Sequence, residues 1–101
     1  LAEVVWTEPA EADLTAIADY LALDNPDAAA ALVQRVLAHM RQLARFPRSG
    51  SVPPELPGGR YRQIVEPPCR VFYRVEQKQR VIILHVMRSE QRLRPTLLRL
   101  R

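Results

Sequence analysis

The side chains with most to offer chemically are arginines, and they crowd the second part of the chain. Residues 60–101 hold eleven basic residues against three acidic ones, whereas residues 1–59 hold four against eight. Every basic residue except Lys78 is an arginine, whose planar fork grips a carboxylate or a phosphate where a lysine presents a point charge. Arg60, Arg62, Arg70 and Arg88 fall within or beside β-favouring runs, so one sheet could offer them together to nucleic acid or to an acidic protein surface. These four are the expected target-binding residues, and Arg70 and Arg88 are expected to matter for recognition more than for stability. Acid–base chemistry has fewer candidates. His85 stands in the otherwise apolar run Val81–Val86, where a backbone group is the expected partner and Glu66 the alternative one. Cys69, the single cysteine, follows Pro68 with no activating base in sight and reads as a structural thiol. No Cys/His cluster at metal-ligand spacing occurs, so no metal or other cofactor is expected.

A chain of 101 residues has room for one hydrophobic core, so residues 1–101 are expected to form a single domain. With 48% hydrophobic and 26% charged residues, it is too apolar for a disordered segment. Six aromatic residues leave the core to Leu, Val, Ile and Ala. There is no stretch of about 18 apolar residues and no basic-then-apolar leader, and a lone thiol suits a reducing compartment. A cytoplasmic protein without a membrane span is expected.

The elements that must position the arginines follow from periodicity. Val4, Val5 and Trp6 favour a short strand. Leu14, Ile17, Ala18 and Leu21 recur at helical spacing, with Thr7 as cap and Pro9 in the first turn. Asn25-Pro26-Asp27 ends one helix and opens another, because Asn caps, Pro suits the first helical position and Asp favours the positive end of the dipole. The second helix carries Ala29, Leu32, Val33, Val36, Leu37, Met40, Leu43 and Ala44 as a broad apolar stripe up to Pro47, so the two helices form an antiparallel hairpin. Pro47 to Gly59 holds four prolines and three glycines and is a connection. Three strands are expected over Tyr61–Glu66, Cys69–Glu76 and Arg80–Met87, joined by hairpins. In the middle strand Cys69, Val71, Tyr73 and Val75 share a core face, leaving Arg70, Phe72, Arg74 and Glu76 on a half-wet one. The last strand is apolar on both faces, which places it centrally. Its outer cover is either the tail, with Leu93, Leu97, Leu98 and Leu100, or a partner peptide.

The expected fold is thus α+β: an N-terminal strand, an antiparallel two-helix hairpin and a three-stranded antiparallel C-terminal meander. In this order, Val5-Trp6, Ile17-x-x-Tyr20, Asn25-Pro26-x-Ala28-Ala29, Leu43 through Pro47, Pro54-Glu55-Leu56, Arg70-Val71-Phe72-Tyr73-Arg74-Val75 and His85-Val86-Met87-Arg88 resemble the RelE/ParE superfamily of toxins from type II toxin–antitoxin modules, over essentially the whole chain. The resemblance implies a cognate antitoxin as partner and one of two targets: DNA gyrase, inhibited without catalysis by ParE-like members, or mRNA on the ribosome, cut by RelE-like members. The long helical hairpin and the Pro-Glu-Leu loop look closer to the ParE branch. RNA cleavage needs a general base, a general acid and cations around the phosphorane-like transition state. The tail after Arg88 lacks the tyrosine that the resemblance would supply for this work, so no catalytic residue is expected. The His-x-Arg pattern of many ParE-like chains is also replaced, by Met87-Arg88-Ser89-Glu90.

Overall fold

The computed structural model describes residues 1–101, with Lys78 described by its backbone alone. The elements are β1 (Val4–Trp6), α1 (Glu8–Ala22), α2 (Pro26–Arg45), β2 (Arg62–Glu66), β3 (Cys69–Val75), a 3₁₀ turn (Gln77–Gln79), β4 (Val81–Arg88) and α3 (Pro95–Leu100). The α+β expectation holds, with strand ends differing from it by one residue or so.

Both long helices start where their caps dictate. The Thr7 hydroxyl accepts from Ala10 N at 3.3 Å and the Asn25 carboxamide from Ala28 N at 3.0 Å, each satisfying a donor that the first turn would leave orphaned. Ala10 and Leu14 of α1 and Leu32, Val36, Met40 and Leu43 of α2 pack on one face of the sheet, against Ile64, Cys69, Val71, Tyr73, Val81, Ile83 and Val86. Each large side chain so buried contributes roughly 1.5–3 kcal/mol. Leu37, expected in the α2 stripe, instead faces solvent at 43% exposure.

The strand order is β1-β4-β3-β2, with β1 parallel to β4 and the other pairs antiparallel. β4 is therefore internal, as its two apolar faces require. The face opposite the helices is not half wet. Phe72, Ile82, Leu84 and Met87 gather there under Leu56, Tyr61, Leu93 and Leu98 in a second cluster. The correction has a simple cause: the Pro-rich connection and the tail both fold over this face, so the cover comes from the chain itself. Pro95 opens α3, the position where a missing N–H is harmless.

The connection over 47–59 is ordered by particular bonds. Ser51 and Gln63 form an isolated antiparallel bridge, and Gly50 N donates to the Tyr73 hydroxyl at 2.9 Å. A Cβ on Gly50 would lie 2.5 Å from that hydroxyl and 2.6 Å from the Gln63 carbonyl, so no larger residue fits without displacing both.

Candidate functional site

One irregularity in β4 decides where its histidine goes. Phe72 pairs with His85 but Tyr73 pairs with Ile83, so Leu84 is an extra residue and a bulge. Bulges re-aim the side chains that follow them. Strict alternation would put His85 beside Val81 and Ile83 in the helix-side core; the bulge moves it to the opposite face, where its ring lies 5.9 Å from that of Phe72, 20° from parallel.

β1 is only three residues long, so β4 beyond Ile83 has an outer edge with unpaired backbone groups, which side chains must satisfy. Thr7 closes the first position, its hydroxyl donating to Ile83 O at 2.8 Å. Asp13 of α1 accepts from Val86 N at 3.2 Å, and Arg101 donates to Leu84 O at 3.2 Å. The same Asp13 oxygen lies 2.7 Å from His85 Nδ1 and 2.7 Å from Arg101 Nη1. Burial would push the Asp13 carboxyl up, but hydrogen bonds from His85, Arg101 and the Val86 amide outweigh it and hold the group below its ordinary value.

Arg101 Nη1 also sits 2.7 Å from His85 Nδ1. With the proton on Nδ1, His85 donates to Asp13, and the two hydrogens of Arg101 Nη1 go to Asp13 and to Leu84 O. In that form Asp13 orients the imidazole through Nδ1. A cleft of about 650 Å³ opens here, lined by Asp13, His85, Gln91, Arg92 and Arg94 above the apolar side chains of Ile17 and Leu97. The expected backbone partner for His85 is replaced by a carboxylate, and Glu66 is not the alternative: at the end of β2 it receives Arg35 of α2 at 2.8 Å and approaches His39 of α2 at 2.9 Å.

The four expected target-binding arginines do not share a surface. Register places Arg62 opposite Tyr73 and Arg88 opposite Cys69, both on the helix side, while Arg70 lies opposite Met87 on the tail side. Arg70 is turned inward: its two terminal nitrogens donate to the two oxygens of Glu55 at 2.8 and 2.7 Å, its Nε donates to Gln63 at 2.8 Å, and its guanidinium covers the Phe72 ring at 4.8 Å. The Arg70 hydrogen bonds hold the Glu55 carboxyl below its ordinary value. Arg62 donates to the carbonyls of Gly50 and Arg48 at 2.8 and 3.2 Å, tying the connection to β2. Arg88 lies over the ring of the exposed Tyr20 at 5.2 Å. Its Nε is 2.7 Å from Glu90, yet that buried N–H has no aligned acceptor among the described residues, so the contact is coulombic rather than a hydrogen bond. Among the described residues Arg60 hydrogen-bonds only to Tyr61, whose hydroxyl lies 3.4 Å from its Nε. Arg70 and Arg62 are thus positioned as frame, and Arg60 and Arg88 remain at the surface.

Against this geometry the comparisons are specific. The chain matches the family described as ParE toxin of type II toxin-antitoxin system, parDE, over residues 4–93. It is a ParE-family toxin domain. This ParE-family chain is 35% identical over 89 residues to Toxin RelE2 of Caulobacter vibrioides, covering 87% of this chain and 92% of the relative. It is also similar to a chain of the chromosomal ParDE TA system from P. aeruginosa, at 30% identity and a TM-score of 0.70, covering 88% of this chain and 97% of that one. The superfamily resemblance drawn from the motifs is therefore confirmed, and membership implies an antitoxin partner. No helix among the described residues is long and apolar enough to cross a membrane.

Several motif residues of this ParE-family toxin now have physical roles. Within Pro54-Glu55-Leu56, Glu55 clasps Arg70 and Leu56 is buried in the second cluster. Cys69 is buried, and desolvation raises its thiol pKa, in keeping with a structural thiol. Asp13 and Arg101 were not singled out by sequence reasoning; the aspartate looks like any exposed helix charge until the short β1 is seen to leave β4 uncovered.

Proposed function

We propose that this ParE-family protein is a toxin that inhibits DNA gyrase by binding it, and that a cognate antitoxin keeps it silent in the cytoplasm. The observation that carries the reading is the match to the ParE family along residues 4–93, which extends through the sheet and into the tail. The fate of the arginines supports it. Forks that could grip a phosphate in a nuclease, Arg70 and Arg62, are engaged by Glu55 and by backbone carbonyls. The outward pair Tyr20–Arg88 offers an aromatic and a cation suited to a protein surface, the residue types enriched at binding hot spots.

A second reading has one specific observation behind it. His85, oriented by Asp13 beside Arg92 and Arg94, has the parts for moving a proton near a phosphate. On that reading the protein cuts mRNA on the ribosome, with Nε2 as acid or base. A supercoiling assay beside a ribosome-dependent mRNA cleavage assay separates the two. Inhibited supercoiling with intact RNA, in wild type and in His85→Gln alike, is the expected result. RNA cutting that disappears in His85→Gln, with supercoiling untouched, would replace the first reading by the second.

A further inference from the structure

Arginines from four separate elements line two neighbouring clefts. A cleft of about 670 Å³ is lined by Arg60, Arg74, Val75, Glu76, Gln77 and Arg80. A second, of about 370 Å³, is lined by Leu56, Pro57, Arg60, Tyr61 and Arg99. Arg60 lines both, so the two adjoin at its side chain as a basic trough in two parts. Its walls hold four guanidinium groups and one carboxylate, Glu76. Glu76 contacts Arg74 at 2.7 Å and Arg80 at 4.0 Å, and Arg80 also reaches Glu3 at 3.0 Å. Arg60 and Arg99 make no ion pair among the described residues and are exposed. Arg60 and Arg99 thus stand without a counter-charge beside two arginines that acids only partly neutralise, an arrangement that suits a polyanion.

The walls also discriminate among polyanions. An acidic peptide is held best when apolar side chains anchor it, but Leu56 and Tyr61 here are 8% and 5% exposed and turned into the second cluster. A nucleic acid single strand is held by exposed aromatic faces on which bases stack, and the one aromatic in the trough is the same buried Tyr61, its ring covered by Arg60 at 5.6 Å. What remains is a row of guanidinium donors, the chemistry of phosphate-backbone contacts that position a duplex without reading bases.

We propose that the Arg60–Arg74–Arg80–Arg99 trough binds the phosphodiester backbone of double-stranded nucleic acid, independently of sequence. The inference does not rest on gyrase being the target, because the toxin alone would show it.

The test is fluorescence anisotropy of the full chain with a labelled DNA duplex of arbitrary sequence, titrated over a range of salt. Binding should weaken as salt rises, with a log–log slope near −3, as expected for three or four neutralised phosphates at about 0.9 each. Arg60→Glu with Arg99→Glu should weaken binding at least about tenfold and flatten the slope by about 2. Arg41→Glu with Arg45→Glu, on exposed positions of α2, changes net charge equally and should leave the trough's share intact. If the reversed pair melts early, Arg60→Gln with Arg99→Gln gives the same comparison without new acids. No duplex binding at low salt, equal losses from the α2 pair, or tighter binding of poly-glutamate or a single strand would each overturn the proposal.

Discussion

At the scale of single residues, Arg70 shows how context reverses a reading. Its sequence setting, opening a strand on the face opposite Cys69 and Val71, marks it for recognition, and nothing nearby in the chain announces the partner fifteen residues upstream. The clasp with Glu55 joins the connection to β3 over Phe72, and hydrogen bonds to charged groups contribute about 1.5–3 kcal/mol. Arg70→Ala should therefore destabilise the fold by about 2 kcal/mol, lowering the melting temperature by roughly 8–16 °C. Arg70→Lys, which keeps the charge but not the fork, should recover less than half of that. Thermal melts of both variants would show it, and wild-type melting of Arg70→Ala would return the residue to the surface role expected from sequence. Gly50 was equally illegible. Its constraint comes from Tyr73 and Gln63, which only the tertiary fold brings against it.

At the scale of elements, what was legible is what local rules dictate. Caps at Thr7 and Asn25, the α2 stripe, the terminating prolines and the doubly apolar β4 are each written in short windows of sequence. The β4 bulge was not, because a strand carrying apolar side chains on both faces gives no sign of where one extra residue enters. Nor was the cover of the second face decided: Leu-rich tails and partner peptides look alike in one dimension. The structure seats Leu98 at 1% exposure and leaves Leu100 at 84%. Leu98→Ala should then cost about 2–5 kcal/mol through lost burial and a cavity, while Leu100→Ala should stay within about 0.5 kcal/mol. Urea unfolding midpoints compare them directly. Equal, small effects would mean that α3 does not hold the Phe72 cluster closed.

At the scale of the whole molecule, two carboxyls with depressed pKa values tie distant parts together, Asp13 between α1, β4 and Arg101, and Glu55 between the connection and β3. A group whose folded pKa lies below its unfolded value gives stability above the unfolded pKa and loses it as pH falls through the folded one. The ordinary values are 3.8 for Asp13 and 4.5 for Glu55, so stability should hold near neutrality and decline on acidification below about pH 5. Asp13→Asn with Glu55→Gln should flatten that decline even if it lowers stability at pH 7, and unchanged pH dependence in the double variant would assign acid sensitivity elsewhere. The parallel pairing of Val4–Trp6 with Val81–Ile83 has a further consequence, in time rather than in space. Contacts between segments so distant in sequence form late and slowly, and a strand made early in synthesis must wait for the ribosome to deliver its partner. A nascent toxin therefore carries β1 unpaired until most of the chain has emerged. That delay leaves seconds, at about 5–20 residues per second, in which an antitoxin already present in the cell can meet the chain before its sheet is complete.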